Sequence, residues 1–409
     1  MKRLIINIDS ISGLLDPLVK NLAGKEMCRL ETMENAWLLM EDDIIADYGQ
    51  GNPKALADEI IDAGGGMVLP AFCDSHTHLV YAGSREREYE DKIQGLSYEE
   101  IALRGGGILN SAKLLQETSE DELFRQTLPR ANEIMELGTG AVEIKSGYGL
   151  TTRDELKMLR VARRVGEETA LTVKTNFLGA HAVPMEYRGK QEEYVDLIVE
   201  EMIPAVAKEK LADFIDVFCD RGFFTVEQTA RILEAGAKYG LVPKIHANEL
   251  DYSGGIQVGV KYGARSVDHL EYTGEDEIAA LLNSKTMPTV LPGASLFLGM
   301  TYAPARHMID AGLPVALASD FNPGSSPTGN MKLIMSLAMM QMKMMPAEVF
   351  NAATINGAYA MGLEDTHGSI TRGKIANLII TEPIPGINYF PYAFGSNLIN
   401  KVILNGKII

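Results

Sequence analysis

Cysteine is scarce in this chain: Cys28, Cys73 and Cys219 are the only three in 409 residues. So small and odd a number argues against a disulfide framework and fits a reducing compartment. Long apolar runs are missing as well, and none reaches the ~20 residues that a membrane-spanning helix needs. The opening stretch, Met1-Lys2-Arg3-Leu4-Ile5-Ile6-Asn7-Ile8, has no signal-peptide core and reads as a strand, so a cytoplasmic location is expected. Positive charge is in deficit, with 38 Lys and Arg against 55 Asp and Glu, a net −17. That field repels nucleic acid and anionic membranes, and neither is an expected partner. An anionic small-molecule substrate would have to be caught by a local arginine.

The balance of 46% hydrophobic and 23% charged residues is that of a globular protein, long enough for one large domain and a smaller one. Residues 1–66 read as short strands, among them Ala36-Trp37-Leu38-Leu39-Met40, ending in the flexible junction Gly64-Gly65-Gly66. Residues 366–409 mirror them with two apolar strands near 373–380 and 401–407. Each end is too small for a core of its own, so the two are expected to build one composite β-sandwich. Between them, over 67–365, eight strand-like stretches alternate with helical ones, as in Glu155-Leu156-Lys157-Met158-Leu159. The fold class expected is α/β: a (β/α)8 TIM-like barrel carrying a small sandwich made from both chain ends. The methionine-rich stretch Met331–Met345 reads as a core-facing helix.

The first barrel strand runs into His76-Thr77-His78. On an extended strand residues i and i+2 face the same way, so both imidazoles aim at one point. His181 follows the third strand, His246 ends the fifth, His269 the sixth, and Asp320 the last. Five of the seven histidines thus gather where parallel barrels build their active sites. His307 and His367 are left over and are expected on the solvent side. Three neutral imidazoles and a carboxylate suit Zn2+ or Fe2+ and leave a position for water, whose pKa such an ion lowers. Glu249, three residues after His246, is placed to pass a proton to a leaving nitrogen. His269 is expected to hydrogen-bond the attacking water instead of binding metal. Cys219 is expected to be a buried, inert thiol.

The set resembles the amidohydrolase superfamily over nearly the whole chain. Val217-Phe218-Cys219-Asp220 has no lysine where many members bridge two metals, which implies a one-metal site. The order of motifs narrows the resemblance to the imidazolonepropionase family. The motifs are His76-Thr77-His78-Leu79-Val80-Tyr81-Ala82-Gly83-Ser84-Arg85, Lys145-Ser146-Gly147-Tyr148-Gly149-Leu150, Leu178-Gly179-Ala180-His181, Val267-Asp268-His269-Leu270-Glu271 and Ser319-Asp320-Phe321-Asn322-Pro323-Gly324-Ser325. The resemblance implies hydrolysis of the cyclic amide of 4-imidazolone-5-propanoate. It makes His76, His78, His246 and Asp320 the ligands of one Zn2+ or Fe ion per subunit. His181 becomes a substrate contact, with Arg85, Tyr148, Glu249, Asn322, Gly324 and Ser325, while Glu249, His269 and Asp320 carry the proton transfers. A homodimer is also implied. Asn248 departs from the pattern, standing where an aspartate is usual. A ring deaminase on the same scaffold and a catalytically silent barrel are the alternatives.

Overall fold

The computed structural model describes residues 1–53, 56–96 and 107–409. Strand β1 (Lys2–Leu14) pairs antiparallel with β2 (Glu31–Glu41), which pairs with β3 (Ile44–Gln50). Both β4 (Glu59–Asp62) and β5 (Val68–Pro70) lie parallel to β1. A register shift between Ile5 and Ile8, with Asn7 at φ 54°, puts both isoleucines in one core although their odd spacing would separate them on a regular strand.

One residue after β5 the chain enters the barrel. Its eight parallel strands are β6 (Phe72–Thr77), β7 (Thr139–Lys145), β8 (Thr172–Ala180), β9 (Phe214–Cys219), β10 (Val242–Ala247), β11 (Ser266–His269), β12 (Met287–Val290) and β13 (Ala316–Leu317). They follow the eight stretches read from the sequence. The seam between last and first strands closes just past β13: Asp320 N donates to His76 O and His78 N to Phe321 O, both at 3.0 Å. Amphipathic helices cover the outside. Thr152–Glu168 starts where the Thr151 side chain accepts from Asp154 N, and Val226–Ala237 starts in a reciprocal Thr225–Gln228 capping box. The methionine-rich helix Met331–Met342 buries Met331, Met335 and Met342 in the core, as expected, but it stops short of Met345, which is exposed with Met340.

The chain then returns to the first sheet through β14 (Leu378–Thr381), β15 (Ile399–Leu404) and β16 (Lys407–Ile408). Because β14 pairs with β5, the expected sandwich is a single eight-stranded sheet curled over its own core. An isolated bridge joins Ile44 on the edge strand β3 to Ile375, three residues before β14.

His307 is exposed beside Glu275, as expected. His367 corrects the reading made from sequence. It is buried, 4% exposed, with Nε2 2.9 Å from Thr172 Oγ1 at the start of β8, the end of the barrel away from the catalytic mouth. Burial, with Lys374 adding to it, lowers its pKa to about 4. Its place in a loop full of glycine and charge gave no hint of the junction it fills.

Candidate metal centre and substrate pocket

Because the barrel closes between His76 and Asp320, the two ends of the chain's longest barrel separation meet at one point. His76 Nε2 lies 3.5 Å and His78 Nε2 3.6 Å from Asp320 Oδ1. His246 Nε2 faces His78 Nε2 at 3.4 Å. The remaining ring nitrogens of two of these residues are anchored below: His76 Nδ1 on Asp268 Oδ2 at 2.7 Å, and His246 Nδ1 on Asp216 Oδ1 at 3.1 Å. These bonds leave Nε2 of each ring aimed at the common point.

Several observations fit a cation there. His76 Nε2 is buried and has no hydrogen-bond partner among the described residues. Burial pushes the imidazoles of His76 and His78 well below their usual range, so both are neutral, the form that ligates metal. Three nitrogens and a carboxylate oxygen are a donor set that suits zinc or iron. A second grouping of His76, His246 and His269 is also compact enough to hold an ion. His269 Nδ1 lies 3.6 Å from Glu249 Oε2 and 4.0 Å from Glu271 Oε2, without a hydrogen bond to either.

The centre forms the floor of a cavity of about 1080 Å3 whose walls include Arg85, Tyr148, His181, Glu249, Asn322, Gly324 and Ser325, every substrate contact expected from the sequence. His181 stacks on His78 (ring centroids 5.1 Å apart, 14° between planes), and Gly147 O fixes its Nδ1 at 3.0 Å. Tyr148 is held over both rings by a loop wrapped around the buried carboxylate of Glu155. Gly147 N, Gly149 N and Leu150 N all donate to that carboxylate, at 3.0, 2.8 and 2.8 Å. A side chain at Gly149 would collide with the backbone of Asp154 and Glu155, so only glycine permits the approach.

Glu249 is placed by its own backbone. Asp220 Oδ2 accepts from Glu249 N at 2.7 Å and Leu250 N at 2.8 Å. Asn248, at φ 54°, takes the left-handed conformation that asparagine tolerates, and its Nδ2 donates to Tyr272 O at 2.9 Å. An ionised aspartate could not make that bond. His269 and Asp320 also have positive φ, 86° and 54°, a concentration of strained backbone at the strand ends. Burial, together with the neighbouring Glu271, raises the Glu249 carboxyl well above the carboxylate range. Burial also takes Glu271 to about 8 and Asp320 to about 7.

Arg85 combines two readings of its sequence. Its Nε donates to Glu88 Oε2 at 2.7 Å and its Nη2 shares that oxygen, so part of its fork belongs to a salt bridge. The Nη1 edge packs over Gly324, where any side chain would overlap the guanidinium. Asn322 Oδ1 gathers Gly324 N and Ser325 N, each at 2.8 Å, and Ser325 Oγ reaches Asp320 Oδ2 at 3.1 Å.

The profile of the amidohydrolase family matches residues 67–409. Over the full length of both chains, this one is 55% identical to an imidazolonepropionase of Christiangramia forsetii and 56% identical to one of Flavobacterium johnsoniae. The chain belongs to the amidohydrolase family, among its imidazolonepropionases. Solved amidohydrolase-fold structures share its shape at far lower identity. The guanine deaminase of E. coli superposes with a TM-score of 0.75 at 15% identity, covering 100% of this chain and 99% of that one. A triazine hydrolase variant gives 0.76 at 16% identity, covering 100% and 94%.

Some residues of this amidohydrolase site had escaped the sequence reading. Glu155 and Asp220 shape the loops that carry Tyr148 and Glu249. Lys92 lines the cavity with a buried Nζ that has no hydrogen-bond partner among the described residues and lies 5.1 Å over the Phe297 ring. Glu143, Lys145, Asp216, Lys244 and Asp268 fill the barrel below the centre. Their signal was present: on their strands they alternate with apolar residues, the pattern of one face turned to the barrel interior. Cys219 is buried, and burial raises its thiol to about 11, so it is inert as expected.

Proposed function

We propose that this chain is an imidazolonepropionase, cleaving the ring C–N amide bond of 4-imidazolone-5-propanoate to give N-formimidoyl-L-glutamate. The observation that supports the reading is that donor atoms of His76, His78 and Asp320 lie together beneath the cavity that Arg85 lines, with His246 Nε2 3.4 Å from His78 Nε2. The full-length likeness to imidazolonepropionases supports it. His76, His78, His246 and Asp320 hold one Zn2+ or Fe ion per subunit. Such an ion supplies Lewis acidity and makes water a nucleophile near neutral pH.

The remaining steps belong to the chain itself. Arg85 receives the substrate propionate on the guanidinium edge that Glu88 leaves open, a charge-assisted contact. Tyr148 and His181 form a wall against the ring, and the Asn322–Ser325 turn closes the opposite side. As water adds to the ring carbonyl carbon, His269 and Asp320 accept its proton. Glu249 enters the reaction protonated and gives that proton to the departing ring nitrogen. The C–N bond breaks and the ring opens; the former carbonyl carbon stays in the product as a carboxyl that ionises to solvent, and the proton held by His269 and Asp320 returns to Glu249. Arg85 favours this chemistry over deamination of an uncharged base, which would have no anion for it to hold.

The working enzyme is a cytoplasmic homodimer without nucleic-acid or membrane partners. Its net charge of −17 disfavours nucleic-acid and anionic membrane partners, and no described helix is long and apolar enough to cross a membrane. The test is turnover of freshly prepared imidazolonepropionate, followed by its absorbance, before and after chelation. Loss of absorbance that stops on chelation and returns with metal is expected. A metal-loaded protein that leaves the substrate intact would overturn the assignment.

A further inference from the structure

Beneath the donor atoms the barrel interior is charged. Glu143, Lys145, Asp216, Lys244 and Asp268 are all fully buried there, none more than 1% exposed. Lys145 Nζ lies 2.6 Å from Glu143 Oε1, 2.8 Å from Asp216 Oδ2 and 3.5 Å from Asp268 Oδ2. The other oxygen of Asp216 holds His246 Nδ1, and Asp268 Oδ2 itself holds His76 Nδ1. One ammonium therefore joins the two carboxylates that aim two ligands from strands on different sides of the barrel.

Lys244 does not duplicate this arrangement. Its Nζ pairs with Glu143 Oε2 and donates to Ser75 O at 3.0 Å, and it stands 3.9 Å from Asp268. Among the described residues, Lys145 is the one lysine or arginine in ion-pair contact with Asp216. Asn176 Nδ2 donates to Asp216 Oδ2 at 3.1 Å and to Glu143 Oε1 at 2.9 Å, which shapes the pocket around the ammonium without adding charge. Take the ammonium away and Lys244 still neutralises Glu143, but Asp216 loses its one ion-pair partner and faces Asp268 in a medium that screens poorly. Asp216 and Asp268 would separate, and the imidazoles they hold would turn with them.

We propose that Lys145 is a positioning residue for the metal centre, tying Asp216 to Asp268 so that His246 and His76 keep a common aim. The inference rests on reading that centre as a metal site and goes beyond it, since nothing else assigns Lys145 a part. Because two of four ligands depend on it, its loss reads out as weaker metal binding, with KM for substrate little changed once metal is saturating.

The test uses the full chain and Zn2+ alone. Lys145→Met/Glu143→Gln removes one positive and one negative charge, so the interior balance is kept while Asp216 and Asp268 remain. Glu143→Gln alone leaves the bridge in place. Folding is followed by circular dichroism and Zn2+ affinity by competition with a chromophoric chelator. The double variant is expected to fold and to bind Zn2+ at least tenfold more weakly, with Glu143→Gln within threefold of wild type. Adding Asp268→Asn to the double variant should cost less affinity than it costs wild type, since the link it acts through is already broken. Affinity within threefold of wild type in the double variant, or an equal loss from Glu143→Gln, overturns the proposal. Failure of both variants to fold assigns Lys145 to the fold instead and overturns it too. Wild-type protein that binds no Zn2+ refutes the metal centre itself, a separate result.

Discussion

Glu249 Oε2 lies 3.6 Å from His269 Nδ1, and both side chains are buried. Burial drives them in opposite directions on the pH scale. The Glu249 carboxyl is raised well above its usual range and the His269 imidazole lowered well below its own, so near neutrality the pair is a neutral acid beside a neutral base. This suits a reaction that takes a proton from water and returns one to nitrogen.

Glu249→Gln should therefore lower kcat by roughly 10²–10⁴-fold while leaving metal content and KM nearly unchanged. The wild-type rate should fall at high pH as the Glu249 proton is lost, and that limb should flatten in the variant. A pH–rate profile on both proteins decides the point; an unaltered basic limb would remove Glu249 from proton delivery.

Arg85→Ala should raise KM for the propionate substrate by roughly 10- to 100-fold, the loss of one charge-assisted contact of about 1.5–3 kcal/mol. Steady-state kinetics on the substrate and on an imidazolone without the acid tail should show the penalty for the first alone. Equal losses on both would place Arg85 in loop structure, through Glu88, and not in tail recognition.

Removing the metal should abolish turnover and loosen the fold around it. His76→Ala and Asp320→Asn should each lose most bound metal, as judged by elemental analysis after dialysis. Retained stoichiometric metal in either variant would contradict the ligand set.

Glu155 offers a test of stability. Burial raises its carboxyl to about 7 against an ordinary 4.5. Between those values the folded chain holds more protons than the unfolded one, so this group's contribution is fully present below about pH 4.5 and is lost as pH rises through 7. The difference is about 3 kcal/mol. Thermal midpoints of wild type relative to Glu155→Gln should decline over that window and level off above it. A pH-independent difference would mean that the carboxylate stays ionised within its cradle of backbone N–H groups.

The eight barrel strands and the donor residues were legible in sequence because both follow local rules. Apolar stretches mark the strands, and His76-Thr77-His78 brings two imidazoles to the barrel mouth by strand alternation alone. What holds those imidazoles from below was harder to see. Asp216 and Asp268 look like ordinary strand residues until the barrel closes and turns them inward. Asp220 and Glu155 act through backbone N–H groups that no side-chain pattern advertises. His367 went astray for the same reason, since its burial comes from a contact distant in sequence, with Thr172 at the start of β8.

That curled sheet also sets a timetable for synthesis. Strand β5 lies between β1 and β14, so the earliest strand to leave the ribosome has its sheet completed only when residues near Leu378 emerge. At about 5–20 residues per second, roughly 20 to 70 s pass between β1 and β14. During the wait Ile5, Ile8 and Ile11 have no complete cover, and a nascent chain stalled before β14 is the species that a chaperone would have to protect.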